Sequence, residues 1–188
     1  MQKTKSSPYG GSPAGRQAPK SAELSGKTLL VVNSGYRRKE FILKRIQELG
    51  CNIILLNKEE NWAQKYVDDF ILADTNNHAE SLEATRKYAQ EHALDGVICF
   101  WEDDVLLTSK IVDMLDLPGI PYRVARTARN KYLFRELCQE AGIPTPQHHM
   151  ISSEADVDYV VSKFAFPVIV KPAYGSSSAL VVKVEKRV

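Results

Sequence analysis

TLLVVNSGYRRKEFILKRIQELGCNIILL, residues 28–56, sets two apolar runs on either side of an amphipathic segment. Thr28–Val32 and Asn52–Leu56 are rich in Val, Ile and Leu and have strand length. Between them a turn at Asn33, Ser34 and Gly35 leads into a segment whose apolar residues Phe41, Ile42, Ile46 and Leu49 recur at helical spacing. Gly50 follows where a left-handed helix C-cap is expected. The unit then recurs as a strand at Phe70–Leu72, a helix from about Ala79 to His92, a strand at Gly96–Phe100 and a helix from about Asp104 to Leu115. This alternation predicts an α/β fold built on a mainly parallel, Rossmann-like sheet.

The flanks read differently. Residues 1–25 are rich in Ser, Gly, Pro and Lys and offer little apolar surface to offset the entropy of ordering a backbone, so a disordered tail is expected. Downstream, Pro118, Gly119, Ile120 and Pro121 interrupt the pattern, because a proline cannot continue a helix and restricts the residue before it. A boundary there divides the chain into an α/β domain at 26–121 and a second region at 122–188. The second region opens with a predicted helix from about Thr127 to Ala141, whose Leu133, Phe134, Leu137 and Cys138 share one face before Gly142 and Pro144 end it. A short strand at His149–Ile151, a helix at Ser153–Lys163 and a hairpin of Val168–Lys171 with Leu180–Val184 complete the expectation.

Composition narrows the function classes. In 188 residues, 25 basic and 23 acidic side chains leave a formal net charge of +2, too balanced to predict a nucleic-acid or membrane surface. No apolar run approaches the roughly 20 residues a bilayer-spanning helix needs, and the polar start lacks the apolar core of a signal peptide. Cys51, Cys99 and Cys138 are widely spaced among apolar neighbours, unlike zinc-binding pairs, so reduced cysteines in a cytoplasmic protein are expected.

Two segments point to anion chemistry. Lys171 ends an apolar strand and enters the small-residue loop Ala173, Tyr174, Gly175, Ser176, Ser177, Ser178, whose amides and hydroxyls suit a phosphate. The same residues also fit a plain hairpin with an edge lysine. Upstream, Arg129 and Lys131 are placed at a helix start, where the macrodipole disfavours cations and an anionic partner would offset the cost. They equally fit a solvated basic face with Arg123, Arg126 and Arg135.

Together the strings TARNKYLFRELCQEAGIPTPQ, 127–147, and FPVIVKPAYGSSSALVVKV, 166–184, resemble the first two ATP-binding segments of the ATP-grasp superfamily in order, spacing and flanking prolines. The second is similar to the phosphate loop of D-alanine–D-alanine ligases, and the first looks closer to amino-acid ligases that make dipeptides. The resemblance implies a pre-ATP-grasp α/β domain followed by the first part of an ATP-grasp domain. It implies Lys131 and Lys171 as ligands of the ATP phosphates, with Gly175, Ser176, Ser177 and Ser178 as the covering loop. ATP, a small carboxylate and an amine are the implied partners, through an acyl phosphate.

In that family the residues that bind Mg²⁺ and stabilise the acyl phosphate follow the second lysine, and this sequence stops at Val188. Metal ligands are therefore expected outside the chain, no catalytic residue is assigned, and turnover by the chain alone is not expected. The alternative is an inactive truncated isoform or fragment acting by association with a partner chain.

Other motifs carry less. Glu102, Asp103 and Asp104 follow a strand end and either face a ligand or start the next helix. Asn33 to Arg38 lacks the glycine spacing of a dinucleotide site, and Arg37 and Arg38 fit either a contact with an acidic substrate or, more simply, a solvated helix start. His148 and His149, adjacent in sequence, receive no role.

Overall fold

The computed structural model describes residues 21–186; residues 1–20, most of the expected tail, and 187–188 lie outside the described residues. A short helix α1 (Ser21–Leu24) precedes strand β1 (Thr28–Val32), helix α2 (Glu40–Glu48), strands β2 (Asn52–Asn57) and β3 (Asp69–Leu72), and helix α3 (His78–Glu91). Strand β4 (Gly96–Cys99) and helix α4 (Val105–Leu115) complete the first unit. Its sheet is parallel throughout, in the order β3-β2-β1-β4, with β1 paired to both β2 and β4.

Strand side chains alternate between faces, and here both faces are covered. Leu30, Val32, Ile54 and Leu56 point into a cluster closed by Leu107, Ile111 and Val112 of α4, with Leu82 and Tyr88 of α3 packed against it. Val31, Ile53 and Leu55 point the other way, onto Leu43 and Ile46 of α2, Cys51 and Tyr66. Leu30, Ile53, Leu55, Leu56, Leu107 and Ile111 have no exposed surface, which places about 1.5–3 kcal/mol of burial on each side chain. The crossover to β2 leaves β1 on one side and the crossover from β3 to β4 arrives on the other. The order of strands thus reverses between β1 and β4, and open sheets hold ligands beyond the carboxyl ends at such a point.

The helix expected over 127–141 is two helices, α5 (Tyr122–Arg129) and α6 (Lys131–Glu140). Asn130 divides them. Its backbone lies in the β region, and its side-chain oxygen accepts from the amides of Tyr132 and Leu133 at 3.0 Å, so it caps α6 while closing α5. Helix α5 packs on α4: Ala125 is buried, and the amide of Tyr122 donates to Asp113 of α4 at 3.1 Å.

Beyond α6 comes helix α7 (Glu154–Lys163), entered through a capping box of Ser153 and Asp156. The three bonds from Ser152 and Ser153 that meet the Asp156 carboxylate hold its pKa at about 2. The hairpin is present as strands β5 (Val168–Val170) and β6 (Val182–Val184), paired antiparallel. Residues 149–151 form no strand; His149 turns back to Asp156 instead, at 3.1 Å.

Candidate phosphate site

The carboxyl edge of the sheet meets the end of α5, two residues before Lys131. Gly35 takes φ 60°, and the Trp101 indole lies where a β-carbon would project, so the turn after β1 requires glycine. Lys39 covers the other side of that indole, 3.7 Å from its ring centre, and donates to the Phe100 carbonyl at 2.8 Å. The acidic turn Glu102–Asp104 splits in two directions. Asp104 is buried, and one carboxylate oxygen has no hydrogen-bond partner. Burial raises its pKa to about 6; Asn33 and Thr75 oppose that rise, and the Asp103 charge adds to it.

Glu102 and Asp103 instead face Arg129, whose guanidinium meets them at 3.1 and 3.4 Å with a side chain only 13% exposed. Arg129 therefore sits at the end of α5, where the helix dipole favours a cation, and not at a helix start. Its charge is answered by the acids of the first unit and is not available to a ligand.

Lys131 begins α6, directly after the Asn130 cap. Its amide donates to the Ala173 carbonyl at 2.9 Å and its ammonium to the Gly175 carbonyl at 3.0 Å, so α6 is bonded to the loop that follows Lys171. This brings together Lys131 and Gly175, two residues 44 apart in sequence and both implied by the motifs. A carbonyl leaves the ammonium charge uncompensated. Lys171 has no ion pair or hydrogen bond with another described residue, and burial, then Arg135, then Lys131 lower its pKa.

Within the loop, the amides of Gly175, Ser176, Ser177 and Ser178 donate to no described residue, and the three serine hydroxyls are likewise unpaired. Gly175 has φ 145°, and Ser177, Ser178 and Leu180 have φ 54°, 57° and 57°. Three non-glycine residues in the left-handed region are costly, about 1 kcal/mol or more each, and such conformations concentrate at ligand clamps. Their effect is to withhold four donors from the hairpin ladder beside two lysines. The chemistry available is the binding of an oxyanion by charge and by backbone N–H groups.

Metal chemistry has a different standing. No group of three or more His, Cys, Asp or Glu side chains that could hold a metal ion occurs among the described residues. The residues beside the loop suit a phosphate.

The resemblance of this chain to the ATP-grasp superfamily is borne out by comparison with known proteins. Residues 44–119 match the family described as ATP-grasp N-terminal domain. Similar proteins include carnosine synthase 1 of Homo sapiens, 29% identical over 176 residues, and D-alanine–D-alanine ligase of Pseudomonas fluorescens, 37% identical over 76 residues. These alignments cover 86% and 38% of this chain but 21% and 24% of the relatives, so the chain spans about a fifth to a quarter of their length. Among solved structures, the L-amino acid ligase of Bacillus licheniformis superposes with a TM-score of 0.74 at 26% identity, over 87% of this chain and 40% of that one. An N5-carboxyaminoimidazole synthetase of Staphylococcus aureus, in complex with ADP, shares the fold at a TM-score of 0.69 and 16% identity, over 86% of this chain and 42% of its own.

In the sequence Asn130 passes unremarked, and Arg129 stands out in a different role, at a helix start facing an anion. Asn130 is signalled by its type, since Asn is a preferred N-cap, but an uninterrupted helical period on both sides conceals it. The pairing of Arg129 has no local signal, because its partners lie 26 and 27 residues away across the sheet edge.

Proposed function

We propose that this chain is the N-terminal portion of an ATP-dependent carboxylate–amine ligase of the amino-acid or dipeptide-forming type, and that its own residues bind the ATP phosphates. The observation that carries the proposal is the convergence of Lys131 and Lys171, neither paired with a carboxylate of a described residue, on a loop whose four consecutive amides donate to no described residue. Lys131 exchanges the Gly175 carbonyl for a phosphate oxygen, Lys171 meets the chain of phosphates from the strand end, and Gly175 to Ser178 close over it. Such positioning and charge stabilisation is most of what a protein supplies to phosphoryl transfer. In the full reaction a carboxylate oxygen attacks the γ-phosphorus and ADP leaves; an amine then attacks the acyl carbon and phosphate leaves. ATP-grasp ligases use Mg²⁺ with ATP; its ligands, like the residues that choose the carboxylate and amine, are assigned outside the described residues. The cytoplasm is the proposed location; among the described residues no helix is long and apolar enough to cross a membrane.

Titration calorimetry with ATP on the chain and on a Lys131→Ala, Lys171→Ala double variant tests the proposal. Loss of at least about tenfold in affinity is expected, from two charge-assisted contacts of roughly 1.5–3 kcal/mol each. Equal binding by the two proteins refutes it.

One observation favours association as a second role: Ile143, Ile169, Val182 and Leu180 are 54%, 55%, 55% and 80% exposed. Exposed apolar residues on and beside a two-stranded hairpin invite a partner chain. Sedimentation of the chain at rising concentration separates a monomer from such a complex.

A further inference from the structure

Helix α6 carries Arg135 one turn beyond Lys131, and residues four apart lie on the same helix face. Lys131 anchors the start of that face to the phosphate loop through the Ala173 and Gly175 carbonyls. Arg135 continues that face, and its charge is felt at Lys171. It is half-buried, yet it makes no ion pair, hydrogen bond or ring contact with another described residue. The contrast with Arg129 is direct, since that side chain is also half-buried but is held by Glu102 and Asp103.

Lys171 registers the neighbour. After burial, the largest influence lowering its proton affinity is the charge of Arg135, ahead of Lys131. Three cations thus share one end of the loop with no described carboxylate paired to any of them. Mutual repulsion is unfavourable in the empty protein and is relieved by a bound anion. Arginine suits this purpose because its planar fork presents two parallel N–H donors to two oxygens of one phosphate.

We infer that Arg135 is a third phosphate-facing cation, gripping through its guanidinium a polyphosphate chain held between Lys131, Lys171 and the loop 175–178; this rests on the phosphate-binding reading above. The basic residues of this region then divide by task. Arg129 joins the two halves, Arg123 and Arg126 meet solvent, and Arg135 reaches the ligand.

The test uses the full 188-residue chain with inorganic tripolyphosphate as probe, which isolates phosphate recognition from adenine. Calorimetry is run at low salt on the wild type, Arg135→Ala, Arg135→Lys, the exposed-site control Arg123→Ala and the Lys131→Ala, Lys171→Ala double variant. Arg135→Ala is expected to weaken binding about tenfold and Arg135→Lys by less, whereas Arg123→Ala stays within about twofold. A second measurement needs no ligand: acylation of Lys171 at mildly alkaline pH, located by mass spectrometry. Removing the Arg135 charge raises the Lys171 pKa, leaves less free amine and slows the reaction. Arg135→Ala binding as the wild type does, while the double lysine variant loses binding, overturns the inference and spares the reading beneath it. Double-variant binding equal to wild type overturns both. An unchanged Lys171 acylation rate in Arg135→Ala removes the proximity on which the inference depends.

Discussion

The four-stranded unit and the stretch after Asn130 are similarly rich in Val, Ile and Leu, but they bury them differently. In the first unit the central strands are covered on both faces by their own crossover helices, and Leu30, Ile53 and Leu56 reach zero exposure. After Asn130, itself buried, no described residue is buried. The difference follows from layers. A parallel sheet with helices on two sides closes a core, whereas two helices and a two-stranded hairpin leave one face of each element open, and an isolated hairpin is marginal in water. The first unit is held by packing; Arg129 ties the end of α5 to it through Glu102 and Asp103, and within the later stretch Lys131 bonds α6 to the loop.

Truncation in the core should have the largest effect. Leu55→Ala, at a position with no exposure, is expected to destabilise the chain by about 3 kcal/mol in urea unfolding. A loss below about 1 kcal/mol would show that the first unit is not the stable half.

Asp104 supplies the next test, with a pH signature. Its pKa is raised to about 6 in the folded chain, above the value in the unfolded chain, so the fold binds its proton more tightly. Its contribution is most favourable at acid pH and is lost as pH rises through about 6. Asp104→Asn should therefore add about 2 kcal/mol at pH 7.5, a gain that fades toward pH 4 in thermal melts at several pH values. A gain independent of pH would mean that burial of the charge is not its source.

Removing the shared cap should cost less. Asn130→Ala is expected to lose about 1 kcal/mol and to speed exchange of the Tyr132 and Leu133 amides while those of β2 stay protected. The smallest effect is expected at Leu180, 80% exposed, where Leu180→Ser should change stability by less than about 0.5 kcal/mol. A larger loss there would reveal packing that the comparison denies.

The first unit was legible in sequence because each strand and helix announces itself locally. The apolar run at residues 28–32 matches its strand end for end, and Gly50 ends α2 region with φ 79°. The strand order was not legible, since it depends on which crossover passes over which face. The hairpin was readable from its two apolar runs around the serine loop. What Lys131 and Arg129 touch was not, because the bond from Lys131 to Gly175 and the pairing of Arg129 with Glu102 exist only after folding brings distant segments together. The expected single helix at 127–141 failed for a related reason: a periodic apolar face continues across Asn130 although the backbone does not.

Asn130 ends one helix and begins the next with no spacer, and this makes chain length at that point unforgiving. Each residue added or removed turns a helix by about 100°. One insertion beside Asn130 would swing Lys131 and Arg135 together away from the loop while leaving α6 fully helical. Surface turns elsewhere in the chain can lengthen without altering what faces what; here length is aim.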